Sequence, residues 1–410
     1  MPRFIVSFRM PRRLQRRFVN SGPPVVKQHK LGNSLCFQQR PMAMTNNALM
    51  DSTHMARALE IAERGRFTAK PNPVVGCLIV KGSTVIAEGW HERAGCAHAE
   101  VNALQAAGEA AHDAQAVVTL EPCSHTGRTG PCVEALISAG IVRVAAAMQD
   151  PNPAVAGKGF QRLREAGMEV IVGVEGKRAA ALNPGFIQRM QTGRPRVRVK
   201  LAASMDGRTA ASDGSSQWIS CEASREDVHR LRAGSCAVVT GMGTVNADNP
   251  RLNARLTEPI VQPLRVIIDS KGQLSSKAAL FDVDGSVLVA SAGPRRDKSD
   301  AFDSRTESIT LPDGSGRVDL AALIDELGRR RCNEILIEAG AGLAGAFAAA
   351  GLIDELVIYL APDLLGSGGR GMFALPEVVS LEHRLRFEVN QVKQLGRDLR
   401  VSLRAERWKA

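Results

Sequence analysis

The chain has 410 residues, a formal net charge of +11, 44% hydrophobic residues and 23% charged residues, a composition typical of a globular protein with more than one domain. Nine basic and no acidic side chains lie in residues 1–50, so the other 360 residues carry 44 basic and 42 acidic ones. That near-neutral balance and an aromatic content of 4% argue against a nucleic-acid-binding face, and no apolar run is long enough to span a membrane.

The first 49 residues are predicted to be a basic tail that is disordered or targeting-like. Arginine-rich, acid-free composition is typical of an organelle transit peptide. A start codon downstream of Met1 is an open alternative, because four methionines follow between residues 42 and 55. Eight scattered cysteines form no dense framework and indicate a reducing compartment. We therefore expect a cytoplasmic protein, with organelle import if the tail is a genuine transit peptide.

Alternating apolar and helical patterns continue from residue 50 to residue 190 and predict a first α/β domain. Four helices are expected, one from Asp51 and three at 97–108, 131–140 and 159–166. Five strands are expected at 74–80, 85–90, 116–120, 142–148 and 169–174.

A linker is predicted at residues 191–195, and a second alternating run from 196 to 408 predicts a second domain. Its expected strands lie at 196–202 and near 236–240, 264–269, 286–290, 333–338 and 354–360. Its expected helices lie near 222–233, 319–330 and 342–350. Residues 291–317 are predicted to be an exposed loop, and two antiparallel strands are predicted near 384–393 and 398–407.

The first domain contains His98-Ala99-Glu100, followed by Pro122-Cys123 and Pro131-Cys132. This pattern is the signature of a zinc deaminase, in which one imidazole and two thiolates hold Zn²⁺ and a carboxylate carries protons. A structural zinc site would have four protein ligands and cysteines two residues apart, whereas these two are separated by eight residues. The metal ligands are therefore predicted to be His98, Cys123 and Cys132, with Glu100 as the catalytic proton carrier.

The second domain has no Gly-x-Gly-x-x-Gly after its first strand, so a Rossmann fingerprint is absent. Gly340, Gly342 and Gly345 instead follow a strand and open a helix. Such a turn can present backbone N–H groups to a phosphate, or it can serve close packing. Residues 241–244 form a second glycine-containing turn.

The first domain resembles the deaminase domain of the bifunctional riboflavin-biosynthesis deaminase–reductase family. The resemblance lies in Pro71-Asn-Pro-Val-Val-Gly76, Gly89-Trp-His91, Ala97-His-Ala-Glu100, Thr119–Cys132 and Gln149–Pro153. The second domain resembles the reductase domain of the same family through Val199–Thr209, Ser216–Ile219, Val239–Pro250, Arg265–Ser270 and Glu338–Leu343. The resemblance implies an α/β protein with an N-terminal cytidine-deaminase-like αβα sandwich and a C-terminal dihydrofolate-reductase-like α/β domain.

The resemblance also implies roles for individual residues. In the deaminase, Asn72, His91 and His125 would hold the substrate. In the reductase, Lys200 and Asp248 would be catalytic. NADPH would contact Ala202, Trp218, Thr244, Asp248, Ser270, Gly340, Ala341, Gly342, Leu343, Ala344, Gly345 and Ala346. The reductase substrate would contact Ser216, Arg232, Leu252, Arg255 and Glu338, since a guanidinium matches the oxygens of a ribose phosphate.

The implied function is zinc-dependent deamination of 2,5-diamino-6-(5-phosphoribosylamino)pyrimidin-4(3H)-one, followed by NADPH-dependent reduction of its ribosyl side chain to ribityl. The expected partners are this small-molecule substrate and further copies of the chain in a homo-oligomer, with no nucleic acid and no membrane. Three alternatives remain: a nucleic-acid deaminase, a structural-zinc module, and a chain in which one of the two domains is inactive.

Overall fold

The computed structural model describes residues 46–125, 130–153, 155–294 and 301–406, which all belong to one compact unit, Thr45–Ala410. Most of the predicted basic tail, and with it the transit-peptide hypothesis, lies outside the described residues. Helix α1 spans Asn46–Ala62, so residues 46–49 are helical rather than part of a disordered tail. The helix starts before the predicted Asp51 because Ala48, Leu49 and Met50 are good helix formers.

The first half of the chain builds a five-stranded sheet with the order β2-β1-β3-β4-β5. Strand β1 pairs antiparallel with β2 and β3, and β3, β4 and β5 run parallel. The strands are β1 (Gly76–Lys81), β2 (Thr84–Trp90), β3 (Gln115–Val118), β4 (Arg143–Ala146) and β5 (Glu169–Val172). All five predicted strands of this half are confirmed.

Helices cover both faces of this sheet. The remaining helices of this half are α2 (Ala99–Ala107), α3 (Cys132–Ser138), α4 (Lys158–Glu165), α5 (Gly176–Leu182) and α6 (Pro184–Thr192). Ala103 of α2, Leu136 of α3 and Phe160 of α4 are buried in one cluster, and Met55 of α1 and Ala179 of α5 are buried in another. The predicted αβα sandwich is confirmed, and α5 and α6 are additions that the sequence patterns did not predict.

The second half builds a nine-stranded sheet with the order β11-β10-β9-β8-β12-β6-β13-β16-β15. Its strands are β6 (Arg196–Ser204), β8 (Ala237–Gly241), β9 (Leu264–Ile268), β10 (Val287–Ser291), β11 (Thr306–Thr310), β12 (Glu334–Glu338), β13 (Glu355–Ala361), β15 (Phe387–Leu395) and β16 (Asp398–Ala405). In the order of the sheet, the seven strands from β11 to β13 run parallel to one another. Strand β16 pairs antiparallel with both β13 and β15. Strands β7 (Arg208–Ala210) and β14 (Arg370–Gly371) form a separate antiparallel pair.

In the described residues of this half, four α-helices pack on the two faces of the sheet: α7 (Glu222–Gly234), α8 (Met242–Asp248), α9 (Leu320–Arg329) and α10 (Ala341–Ala349). Leu327 of α9 and Phe347 of α10 are buried in one cluster, whereas Leu231 of α7 and Val245 of α8 are buried in another. The predicted α/β architecture is therefore confirmed. Among the residues that the structure describes, the helices are too short or too polar to traverse a lipid bilayer.

One local prediction was wrong. Residues 306–310, expected within an exposed loop, form the edge strand β11, whose pairing with one neighbour lets it keep the polar, mostly exposed composition of a loop. The strand-to-helix turn predicted at 241–244 is present, since β8 ends at Gly241 and α8 begins at Met242. The seven-residue helix α8 that follows was not predicted, and its buried residue is Val245. One buried side chain gives no helical periodicity to detect.

Because parallel strands share a direction, the carboxyl ends of β9, β8, β12 and β6 meet at one edge of the sheet. Ligands of open α/β sheets bind at such an edge. The fold thereby brings Ser270, Thr244, Glu338 and Ala202, four of the predicted reductase residues, to the same end of the sheet.

A close backbone contact fixes helix α2 on the first sheet. A Cβ atom at Gly89 of β2 would lie 2.4 Å from the Ala103 nitrogen and 2.4 Å from the Ala99 oxygen. We expect Gly89→Ala to lower the free energy of unfolding by about 2 kcal/mol, because the helix must move away from the sheet. Urea denaturation measures this change.

Gly293→Ala is the matched control, since a Cβ atom at Gly293 meets no atom within 4 Å. Equal denaturation midpoints for the two variants would contradict the close packing of α2 described above.

Candidate active site

The predicted metal ligands come from three separate segments that end at one point. His98 is the N-cap of α2, Cys123 lies in the loop after β3, and Cys132 is the first residue of α3. Their ligand atoms all lie within 4.8 Å of one another. The structure thus brings together the three residues that the sequence pattern singles out.

The spacing of these atoms fits a zinc ion. The Nδ1 atom of His98 lies 3.5 Å from the Cys123 Sγ and 3.3 Å from the Cys132 Sγ. In a tetrahedral site with Zn–S of about 2.3 Å and Zn–N of about 2.0 Å, nitrogen and sulfur ligands are about 3.5 Å apart. With three protein ligands in the described residues, the set is that of a catalytic rather than a structural site.

The surroundings favour a thiolate in this cluster. Hydrogen bonding to Cys132 lowers the pKa of the Cys123 thiol to about 4, against the opposing effect of burial, and His98 lowers it further. The backbone N–H of Cys132 also donates to the Cys123 Sγ across 3.4 Å. The hydrogen bond with Cys123 raises the pKa of His98. The hydrogen bond between the two cysteines raises the pKa of the Cys132 thiol, so the two sulfur atoms retain one proton, which a metal cation displaces on binding.

Glu100 lies in the first turn of α2, two residues after the ligand His98, and is buried. Burial raises the pKa of its carboxyl to about 7, and the nearby Cys123 thiolate adds to that rise. A carboxyl group with such a pKa can accept and release a proton near neutrality, as proton transfer in catalysis requires.

The predicted substrate residues of the first half line one cavity of about 700 Å³ together with His98, Glu100 and Cys123. His91 Nδ1 lies 3.0 Å from the Ala97 carbonyl oxygen, and its Nε2 lies 3.0 Å from the Asn72 Nδ2. The carbonyl accepts from Nδ1–H, so Nε2 accepts from the amide of Asn72. Burial lowers the pKa of His91, which agrees with this neutral form.

His125 completes this group as an exposed residue at the wall of the same cavity. Six of the seven site residues predicted in the first half therefore line one cavity: Asn72, His91, His98, Glu100, Cys123 and His125. The seventh, Cys132, is buried behind it.

Glu121 is a structural residue of this site that sequence reasoning did not predict. Its buried carboxylate accepts hydrogen bonds from the backbone N–H groups of Asp150, Gly157, Gly159 and Phe160. These bonds tie the loop that carries Cys123 to the start of α4. The position beside Pro122-Cys123 is the only signal the sequence offers for this role.

In the second half, three predicted residues form a buried ion cluster. Arg232 of α7 donates to the Glu338 carboxylate through Nε at 2.5 Å and Nη2 at 2.9 Å, and Lys200 Nζ lies 3.9 Å from Glu338 Oε2. Burial raises the pKa of Glu338, but the two cations outweigh it and hold the pKa at about 2. Burial lowers the pKa of Lys200, with Glu338 opposing that shift.

This cluster extends to Arg255 through the loop after α8. Arg232 Nη1 donates to the Asn253 carbonyl at 3.1 Å, and Arg255 Nη1 donates to the Asn253 side chain at 3.1 Å. His229, which sequence reasoning did not predict, accepts from the Arg255 backbone N–H at 3.3 Å. Burial, followed by the charges of both arginines, lowers the pKa of His229 to about 4. The imidazole is therefore neutral and adds no charge to this cationic corner.

Leu252 lies in the same loop and is buried with φ of 56°. A leucine in this left-handed region is strained, so the surrounding packing must hold it there.

The two glycine-containing turns of the second half are joined. The Gly340 N–H donates to Thr244 Oγ1 across 3.3 Å, and Gly340 is the N-cap of α10. A Cβ atom at Gly340 or Gly342 would meet no atom within 4 Å, whereas one at Gly345 would lie 2.1 Å from the Ala374 oxygen.

The glycines therefore have different uses: Gly345 serves close packing, and Gly340 and Gly342 leave open space at a helix N-terminus. Open space beside the backbone N–H groups of the first helical turn fits a phosphate-bearing cofactor. The other residues predicted for this contact, Ala341, Leu343, Ala344 and Ala346, lie within α10.

The remaining predicted reductase residues are more dispersed. Ser270 Oγ accepts from the Val318 N–H at 3.1 Å, Ala202 lies on β6 two residues after Lys200, and Asp248 ends α8. Ser216 and Trp218 lie on the loop between β7 and α7, where Trp218 is 69% exposed and stacks on Arg225. The structure shows no contact of these two with the ion cluster among the described residues.

Comparison with known proteins agrees with both sites. Residues 49–148 match the family model "Cytidine and deoxycytidylate deaminase zinc-binding region", and residues 195–401 match "RibD C-terminal domain". Riboflavin biosynthesis protein RibD of Escherichia coli is 45% identical over 367 residues, which cover 87% of this chain and 99% of that protein.

Solved structures give the same result. RibD of Acinetobacter baumannii superposes with a TM-score of 0.81 at 43% identity and covers 88% of this chain and 100% of that one. The diaminohydroxyphosphoribosylaminopyrimidine deaminase/5-amino-6-(5-phosphoribosylamino)uracil reductase of Thermotoga maritima superposes with a TM-score of 0.79 at 34% identity, with the same shares covered. The chain therefore belongs to the RibD family of bifunctional riboflavin biosynthesis deaminase–reductases.

Proposed function

We propose that the chain carries out two consecutive steps of riboflavin synthesis on one phosphorylated substrate. The first is hydrolytic deamination of 2,5-diamino-6-(5-phosphoribosylamino)pyrimidin-4(3H)-one, and the second is NADPH-dependent reduction of the ribosyl side chain to ribityl. The observation that carries the proposal is the His98, Cys123 and Cys132 cluster, with ligand atoms within 4.8 Å, beside the buried Glu100. Membership of the RibD family supplies the substrate class.

For deamination, His98, Cys123 and Cys132 would hold zinc, which lowers the pKa of a bound water when it is present. Glu100 takes the proton released as water adds to the amine-bearing ring carbon. It then delivers protons to the ring nitrogen and to the departing ammonia, so that one water is consumed and one ammonia is released. Asn72 and His91 orient the ring, since their mutual hydrogen bond leaves the Asn72 carbonyl oxygen available.

For reduction, NADPH would lie across the carboxyl ends of the parallel strands, with phosphate at Gly340 and Gly342, and would supply the hydride. As the sugar carbon accepts hydride, its bond to the ring oxygen breaks, and Lys200 stabilises the negative charge on that oxygen and supplies the proton of the new hydroxyl group. Arg232 neutralises Glu338 and so keeps the Lys200 ammonium free for that task. The support for this assignment is the buried cluster of Lys200, Glu338 and Arg232.

We assign the deaminase to residues 50–190 and the reductase to residues 196–408. The end of α6 at Thr192 and Gly193, which has φ of 77°, support a boundary in the predicted linker 191–195.

The proposed sequence of reactions is tested by mass spectrometry of the diaminopyrimidine ribosyl phosphate after incubation with the purified chain. We expect an amine-to-oxo change without NADPH, and a further gain of two hydrogens only when NADPH is present. An unchanged substrate would refute the deaminase assignment, and deamination without reduction would refute the reductase assignment.

Two matched variants test the separate roles of Glu100 and Lys200. Glu100→Gln removes the proton carrier and should slow deamination by about a hundredfold or more while leaving reduction of the deaminated intermediate unchanged. Lys200→Met should slow reduction by about a hundredfold while sparing deamination. Each variant is the folding control of the other, and full deamination by Glu100→Gln would contradict its role.

We further propose that two copies of the chain pair through β15, the last strand of the nine-stranded sheet. Val389 and Val392 on this strand are 65% and 57% exposed. Light scattering should find twice the chain mass of 43.9 kDa and a single chain for the double variant Val389→Glu/Val392→Glu.

Val379→Glu is the control for this measurement, since Val379 is 87% exposed and lies outside the strands. A wild-type protein of one chain mass, or a double variant that keeps the wild-type mass, would contradict pairing through β15.

A further inference from the structure

The turn between α9 and β12, residues 330–333, is part of the reductase half of the chain, but it contacts the deaminase half. The side-chain amide of Asn333 donates to the Pro71 carbonyl at 2.7 Å. The Arg189 Nε of α6 donates to the Asn333 side-chain oxygen, also at 2.7 Å. Asn333 is buried. Because Pro71 precedes the substrate residue Asn72, this turn lies directly behind the deaminase cavity.

Two guanidinium groups line that cavity together with His98 and Glu100: Arg189 of α6 and Arg331 of the turn. Neither has a carboxylate within ion-pair distance in the part of the chain that the structure describes. Arg189 uses Nε to bind Asn333, so both of its Nη groups remain available. Burial lowers the pKa of Arg189, and the positive charge of Arg331 on the same cavity wall lowers it further.

Three carboxyl groups also line this cavity, Glu100, Glu121 and Asp150, but among the described residues none of them forms an ion pair with Arg189 or Arg331. The Glu121 carboxylate is occupied by four backbone N–H groups. Asp150 accepts from the Asn152 backbone N–H at 2.8 Å. The cavity wall near α6 therefore carries two positive charges that form no ion pair among the described residues, and this is the electrostatic character of an anion site.

The backbone at Arg331 supports a role for its side chain. Arg331 follows the end of α9 with φ of 66°, a position that glycine usually occupies. A side chain in this left-handed conformation costs about 1 kcal/mol. The strain is understandable if the guanidinium is needed where the turn places it.

We propose that Arg189 and Arg331 bind the 5′-phosphate of the substrate during deamination. This inference rests on the proposed function, because the phosphate is a property of the substrate named there. Two guanidinium groups match the oxygens of a phosphate monoester, and a cavity of about 700 Å³ has room for a ring, a ribose and a phosphate. The reductase half thus supplies one residue to the deaminase site.

The test compares the phosphorylated substrate with its dephosphorylated ribosylamine in the full-length, zinc-loaded chain. In the wild type, the phosphorylated compound should have the lower KM. Arg189→Gln and Arg331→Gln should each raise that KM about tenfold, and together about a hundredfold, since each removes a charged hydrogen-bonding group. The KM of the dephosphorylated compound and kcat at saturation should change less than about twofold.

Arg329→Gln is the matched control, because Arg329 is exposed and pairs with Glu326 on the same helix. Arg331→Gly is the second variant, since glycine adopts a φ of 66° without strain and removes only the side chain. Reduction of the deaminated intermediate is measured in every variant to show that the chain is folded. If Arg189→Gln abolishes reduction as well, that variant is not correctly folded, and the phosphate site is then judged from Arg331→Gly alone.

The outcomes separate the two proposals. A wild-type chain that deaminates neither compound refutes the proposed function. A wild-type chain that deaminates both, together with an Arg331→Gly variant that keeps the wild-type preference for the phosphorylated compound, overturns the phosphate site and leaves the function standing. Inorganic phosphate should inhibit the wild type competitively and the double variant much more weakly, and equal inhibition of both would also overturn the site.

Discussion

The first half of the molecule is organised around two thiols and an imidazole whose ligand atoms lie within 4.8 Å of one another. Such a cluster is stable only if the backbone around it is held firmly, because the donor atoms compete for the same small space and the same protons. One source of rigidity is the close contact between the backbone of α2 and Gly89 of β2. The other is Glu121, whose hydrogen bonds connect the loop of Cys123 to the start of α4. Helix α2 positions Glu100 as well, because Glu100 lies in the first turn after the N-cap His98.

The second half of the molecule instead places one buried carboxylate, Glu338, between two cationic side chains. Glu338 is bound by Arg232 at 2.5 Å and approached by Lys200 at 3.9 Å, so the corner retains a net positive charge. Buried charge of this kind is costly and is retained where a reaction uses it. The open space at Gly340 and Gly342 lies at the same edge of the sheet, next to Thr244.

Periodicity predicted the strands and helices of both sheets because most of them bury a regular apolar face. It failed for β11, an edge strand with polar composition, and for α8, which buries Val245. The metal ligands were predictable because their residue types and spacing are characteristic of the chemistry. Arg189, Arg331 and Asn333 were not predictable, because the role of an arginine or asparagine on a short helix or in a turn depends on the distant segment that it contacts.

The contacts of Lys70 and Asn333 have a consequence for how such a gene can be divided. Lys70 Nζ donates to the carbonyls of Ala233 and Ser235, and Asn333 binds Pro71 and Arg189. A gene split at codons 193–195 would encode two polypeptides, and these would have to associate before the deaminase cavity had its complete lining. Fusion replaces that encounter by a high effective concentration. If the reductase halves of two relatives were exchanged, the incoming 331–333 turn would have to match the deaminase surface that it contacts.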